Sequence, residues 1–209
     1  MFEINEKDFY IFKNQIKPSE NAIYKLKKFV FILEDYQKKM NLIGKSTMSS
    51  IWTRHILDSA QIEKILPKEN NNFLTIDVGT GAGFPGVVLA ALGRKDLLLC
   101  DKSKKKKNFL NAVAQECNLK ITIYNDRIEN LRVSTVKTIV SRAFATLKNL
   151  LLKVSHFLRS DTTLVLHKGK TYMEEITEAK NFFFFNYKCY DSLTNADSKI
   201  LKIINVKKK

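Results

Sequence analysis

The chain is poor in the residues that interrupt or staple a fold. Its 209 residues include seven glycines, three prolines and three cysteines. With 44% hydrophobic residues, so little glycine and proline excludes a collagen-like or wholly disordered chain and leaves a core-forming one. Cys100, Cys117 and Cys189 are odd in number and widely spaced. They match no zinc pattern and no disulfide framework, so a reducing, cytoplasmic setting is expected. His156 and His167 have no ligand spacing with any cysteine, and no metal is expected. The longest apolar runs, 86–92 and Phe182–Phe185, fall far short of the roughly 20 residues a membrane span needs. No membrane partner is expected. The N-terminal stretch has early acidic residues, Glu3 and Glu6, and no apolar region of a secretory signal. There is also no heptad repeat or long exposed apolar run, which makes a monomer the expectation.

Positive charge is what the chain has in excess. Thirty-six lysines and arginines face 21 acidic residues, for a net charge of +15. Each of the stretches 1–66, 67–145 and 146–209 is net positive, so this is no basic tail on a neutral body. A polyanion, most commonly nucleic acid, is the usual partner of such a surface. A generally lysine-rich surface without a partner is the alternative. The run Lys104–Lys107 covers most of a helix circumference, so part of it must be simply solvated, and charge alone leaves its role open.

Two textures divide the chain into a helical extension, 1–66, and an α/β domain, 67–209. In the first, Pro18-Ser19-Glu20 reads as a helix start. Ile23, Leu26, Phe29, Val30 and Leu33 form one apolar stripe, and Gly44 reads as the cap that ends it. Ser46 or Thr47 then begins a third helix running through Ala60. From Lys68 onward strands alternate with helices. Strands are expected at Phe73–Val78, Leu97–Cys100, Ile121–Tyr124, Thr138–Val140 and Thr162–Leu166, with helices near 104–117, 147–158 and 172–180. That alternation predicts a parallel sheet with helices on both faces. The tail, Phe182–Tyr190 and Ile200–Val206 about a turn at Asn195-Ala-Asp197, predicts an antiparallel hairpin at the sheet edge.

The sharpest motif is Asp77-Val-Gly-Thr-Gly-Ala-Gly-Phe-Pro-Gly86, directly after the first strand. Gly79, Gly81 and Gly83 permit a tight turn and close approach of backbone to a ligand. From Gly81 the run also fits the dinucleotide pattern, with Asp101 twenty residues on. Asp77 argues against a pyrophosphate, which it would repel, and for the ammonium of S-adenosyl-L-methionine. Asp101, ending the second strand, is placed to accept ribose hydroxyls or to cap the next helix.

These residues resemble the RsmG (GidB) family of bacterial 16S rRNA methyltransferases. The likeness includes Phe84-Pro85 within the loop, Arg54-His-Ile-Leu-Asp-Ser59 upstream, Arg127-Ile-Glu129, Ser141-Arg-Ala-Phe-Ala145 and His167-Lys-Gly169. It spans roughly 40–170. One departure is Asp101-Lys-Ser-Lys-Lys-Lys-Lys107, where the family usually has apolar residues before a basic pair. The resemblance implies a Rossmann-like class I S-adenosylmethionine-dependent fold, parallel with an antiparallel last strand. The implied reaction is methylation of N7 of guanine 527 in 16S rRNA, free or within a small-subunit precursor. It further implies that Gly79 and Phe84 contact the cofactor, that Ile128 and Glu129 border its adenine, and that Arg142 lies beside the methionine and the target base.

The residue types suit that chemistry. Guanine N7 carries a lone pair and no proton, so no general base is required. The slot after strand four, Ser141-Arg142-Ala143-Phe144, lacks the paired prolines usual in methylases of exocyclic amines. No cysteine follows a proline, as methylases of pyrimidine C5 commonly require. Ser141 and Arg142 are candidates for positioning the base, Arg142 through guanine O6. A phosphate, the cofactor carboxylate or an acid such as Glu129 is an equal partner for Arg142. Phe84 and Phe144 suit stacking or core packing. Arg54, Lys104, Lys105 and Lys168 are candidates to face RNA. Arg54 also has the spacing to pair with Asp58 on its own helix, and His55 reads as a packed histidine. A methylase of another substrate, or a catalytically silent RNA-binding factor on the same fold, is the remaining alternative.

Overall fold

A computed structural model describes residues 5–69, 73–133 and 135–209. The start of the N-terminal stretch, 1–4, lies outside the described residues. Helix α1, Glu6–Ile16, is capped by the Asn5 side chain, and α2, Glu20–Gln37, by Ser19. Each cap oxygen accepts a backbone N–H that the helix itself cannot satisfy. A seven-stranded sheet follows, with β1 at Leu74–Val78, β2 at Leu97–Cys100, β3 at Ile121–Tyr124 and β4 at Val136–Arg142. Strands β5, Thr163–Lys168, β6, Phe183–Asp191, and β7, Lys199–Lys208, complete it. The order is β3-β2-β1-β4-β5-β7-β6. The first five strands are parallel, whereas β7 is antiparallel to both β5 and β6. Central strands such as Leu97-Leu-Leu-Cys100 are buried along their whole length, because helices cover both faces of a parallel sheet.

One face holds the extension together with α4, Gly86–Ala91, and α5, Lys104–Glu116. Phe12, Phe29 and Trp52 join Phe84, Phe109, Leu99 and Val140 there in one continuous apolar core. The opposite face holds α6, Leu147–Lys153, and α7, Tyr172–Lys180, over Ile76, Leu98, Ile139 and Leu164. Alternate residues of one strand supply the two cores, as the two-residue period of a strand requires. Among the described residues no helix is long and apolar enough to cross a membrane.

Two expectations for the extension need correction. Gly44 does not end α2; it is in extended conformation, and the helix stops at Gln37. The Gln37 side chain closes the following loop, accepting from Leu42 N and Ile43 N and donating to Ile43 O. The third helix is not continuous either. A 3-10 turn at Lys45–Thr47 precedes a π-helical segment, Trp52–Leu57, which runs into the short α3, Asp58–Ala60. Strands β4 and β5 are longer than expected at their C-terminal ends, so Arg142 and His167 are neighbours in register.

Candidate functional site

The sheet order reverses at β1, which lies between β2 and β4. In open α/β sheets ligands bind beyond the strand C-termini at such a point. A cavity of about 380 Å³ lies there, lined by Gly79, Asp101, Ile128, Glu129, Ala143 and Phe144 among others. Gly79 has φ +72°, and a Cβ on it would sit 2.3 Å from Cδ2 of Phe144. Only glycine takes this turn without strain while leaving room for that ring. Ala143 also has positive φ, 52°, a conformation uncommon outside glycine and typical of constrained functional loops.

The two motif carboxylates have different fates. Asp101 faces the cavity, where its Oδ2 accepts from Gly81 N at 3.1 Å and from Lys106 Nζ at 3.3 Å. Its Oδ1 accepts from Ser103 N at 2.9 Å. It therefore joins the glycine loop to the start of α5. Asp77 is 0% exposed and does not line the cavity. Its Oδ2 accepts from Gly86 N at 2.8 Å, behind the loop. Burial pushes its carboxyl up to about 7, against the pull of that N–H. Asp77, expected to meet an ammonium, instead braces the loop from within the core. Gly81, Gly83 and Phe84 also lie outside the cavity lining. Phe84 is buried between Phe29 and His55, at ring separations of 5.4 and 5.0 Å.

Ile128 and Glu129 stand on the turn after β3 and line the cavity. Glu129 is held by Lys153, whose hydrogen bond keeps the carboxyl below its usual range. Cys100 lines the same wall, but burial pushes its thiol up to about 12, so it stays protonated.

Arg142 lies across Ala143 in a second cavity of about 200 Å³, not in the larger one. Its partner is neither Glu129 nor a partner on its own strand. Nε pairs with Asp58 Oδ2 at 3.1 Å, and Nη2 donates to Arg54 O at 3.0 Å and approaches His55 Nδ1 at 3.2 Å. Asp58 is the hub of this face. Its Oδ1 accepts from Gln61 Nε2 and Thr194 Oγ1, and its backbone oxygen is 2.7 Å from His167 Nε2. The extension, β4, β5 and the β6–β7 loop thus meet at one residue, Asp58. Burial lowers Arg142 and Asp58 raises it. Burial and the Arg142 charge push His55 down to about 3, so the ring is neutral and packed.

With this geometry in view, comparison with known proteins is decisive. The profile of the family described as rRNA small subunit methyltransferase G matches residues 22–204. The chain belongs to this family. A ribosomal RNA small subunit methyltransferase G of Orientia tsutsugamushi (strain Ikeda) is 39% identical over 185 residues, 88% of this chain and 91% of that protein. Among solved structures, the ribosomal protein L11 methylase of Lactobacillus delbrueckii subsp. bulgaricus shares the fold. Its TM-score is 0.59 at 17% identity, over 73% of this chain and 78% of that one. M. jannaschii TYW2, solved in complex with AdoMet, gives 0.54 at 12% identity, over 74% and 76%. The sheet is accordingly that of a class I methyltransferase.

Within this member of the methyltransferase G family, other expected contacts fall elsewhere. Ser141 is buried and donates to Val78 O at 2.8 Å, tying β4 to β1. Lys168 is no surface lysine. At 8% exposure it donates to Ala145 O and to Glu175 Oε2, pinning the loop that carries Phe144. Arg54, Lys104 and Lys105 are exposed. The sequence reading missed Asp58 as the partner of Arg142, and Lys106 and Lys153 as cavity residues. The four-residue spacing of Arg54 and Asp58 pointed to a local pair, whereas the π-helical segment commits Asp58 to β4.

Proposed function

We propose that this methyltransferase family member transfers the methyl group of S-adenosyl-L-methionine to N7 of guanine 527 in 16S rRNA. The supporting observation is one cavity bounded by a β2-end carboxylate, Asp101, and a glycine, Gly79, at which a Cβ would have no room. Those features suit a ribose and a close-packed amino acid moiety respectively. Asp101 accepts the ribose hydroxyls, Ile128 offers an apolar edge to adenine, and Glu129 borders it. When bound, S-adenosylmethionine supplies a methyl group on a sulfonium, and the N7–carbon bond forms in line as the carbon–sulfur bond breaks. The protein's share is positioning. N7 presents a lone pair without a proton, so no side chain is required as a general base. Arg142, fixed by Asp58, presents a cation beside the junction of the two cavities, and the +15 net charge favours approach of RNA. The substrate is the RNA alone or within a small-subunit precursor, met as a monomer in the cytoplasm. The test uses undermethylated small subunits and tritiated S-adenosylmethionine, followed by nuclease digestion. Label in 7-methylguanosine is expected; label in another nucleoside, in protein, or in neither overturns the reading.

A further inference from the structure

The smaller cavity, about 200 Å³, shares Ala143 with the larger one and is otherwise separate in its lining. Three chain segments far apart in sequence build it: the π-helical part of the extension, the ends of β4 and β5, and the loop between β6 and β7. Arg54, Arg142, Lys168 and Lys199 bring positive charge to its wall, Lys168 paired with Glu175 and Lys199 with Asp191, and Ser192, Thr194 and Ser198 bring hydroxyls. Asp58 is the one acid in that lining, and Arg142 already neutralises it. No phenylalanine, tyrosine or tryptophan lines it, whereas Phe144 lines the larger cavity.

We infer that this smaller cavity is a subsite for an RNA backbone phosphate and its sugar, adjoining the nucleotide that accepts the methyl group. The inference rests on the reading above that the substrate is RNA. Unpaired bases are held by stacking on aromatic faces, and the one aromatic ring in this lining, His167, is committed to the backbone oxygen of Asp58. Phosphates are held by guanidinium groups and hydroxyls, which it has. Nη1 of Arg142 is buried and has no hydrogen-bond partner among the described residues, so the guanidinium at this wall keeps an unsatisfied N–H group. Arg54 is exposed at the rim and forms no ion pair among the described residues. The wall is also preorganised. Thr194 Oγ1 donates to Asp58 Oδ1 at 2.7 Å, and Leu193 N donates to Gln61 Oε1 at 2.8 Å. These bonds hold the β6–β7 loop against the extension, so a phosphate is met by groups already in place. A contact here fixes the register of the RNA, and the neighbouring nucleotide then falls at Ala143, beside the larger cavity.

The test is a synthetic rRNA stem-loop containing the target guanosine, with one linkage at a time replaced by an uncharged methylphosphonate. Binding to the full chain is read by fluorescence anisotropy at fixed salt, for wild type, Arg54→Ala and Ser198→Ala. Ser198 is a useful second site because its described hydrogen bonds are made by its backbone, so its side-chain loss leaves the fold intact. One linkage flanking the guanosine is expected to weaken wild-type binding about tenfold, the loss of one charge-assisted contact. The same linkage is expected to matter little to Arg54→Ala and less than in wild type to Ser198→Ala. Cofactor affinity by calorimetry is expected to be unchanged in both. Equal losses in all three proteins at every linkage would overturn the subsite. Coupling of the two variants to removal of the target base, and to no linkage, would overturn it too, because the cavity would then hold the base. Methyl transfer to undermethylated small subunits is measured in parallel. Label in 7-methylguanosine without linkage coupling removes the subsite alone, and absence of label removes the functional reading on which it stands.

Discussion

The two cavities on either side of Ala143 are built by opposite strategies. The larger one is assembled from strand ends and the loops directly after them, at β1, β2, β3 and β4. The smaller one depends on a single carboxylate, Asp58, that gathers Gln61, Arg142 and Thr194. A site made of local loops tolerates loss of any one long-range bond. A site made around one largely buried ion pair does not, because removing one partner leaves an uncompensated charge.

The largest expected effect breaks the larger cavity alone. In Gly79→Arg the new side chain enters a positive-φ position against the Phe144 ring, and S-adenosylmethionine binding should fall below detection by calorimetry. Retained binding would remove Gly79 from the cofactor wall. Next comes Asp58→Ala, which leaves Arg142 buried without its counter-charge. Urea denaturation should show a loss of about 3–5 kcal/mol, with much less effect on cofactor affinity than Gly79→Arg. An equal loss of cofactor affinity in both would erase the distinction between the cavities.

Asp101→Ala should weaken cofactor binding by about ten- to a hundredfold, the scale of hydrogen bonds to a charged group. Thr194→Val removes one hydroxyl bond to Asp58 and should cost about 1 kcal/mol, read from the same urea midpoints. A loss as large as that of Asp58→Ala would mean that the β6–β7 loop, and not Arg142, is the main dependent of that carboxylate.

A pH series sharpens the comparison further, because each side carries one strongly shifted group. Asp77, behind the glycine loop, titrates at about 7 in the fold against 3.8 ordinarily. Between those values the folded protein keeps a proton that the unfolded chain has released, so this group makes stability fall as pH rises toward 7. His55, beside Arg142, titrates at about 3 against 6.5. Over that interval the unfolded chain binds a proton that the fold does not, so stability falls as pH drops. The two slopes oppose each other between about pH 4 and 6.5. Asp77→Asn should therefore make stability rise more steeply with pH over that interval, and His55→Gln should do the reverse. The same slope in wild type and both variants would show that neither group is shifted as its burial requires.

Much of the fold was legible because its signals are local. Five apolar strand segments, the cap Ser19 and the glycine cluster after β1 each act within a few residues. Gly79 and Asp101 in the cavity wall followed from such signals, and Ile128 and Glu129 from the family resemblance. Failures came where a side chain had two partners of similar chemistry at different sequence distances. Asp58 could meet Arg54 four residues away or Arg142 on another element, and the fold chose the distant one. Lys168 read as surface charge because its buried partners, Ala145 O and Glu175, are contributed by separate elements. Gly44 read as a helix cap, and a glutamine side chain did that work instead.

By itself the sequence determined a parallel sheet with an antiparallel edge, the loop after β1 and the excess of positive charge, since periodicity, glycine spacing and composition are properties of neighbouring residues. It also carried the family. Only the tertiary structure decided which of two similar carboxylates faces the cavity. Asp77 and Asp101 both lie at strand ends, but helix α4 packs over one and the switch in strand order opens a crevice at the other. Burial and pairing across the sheet are set by how elements stack, and spacing along the chain does not encode them.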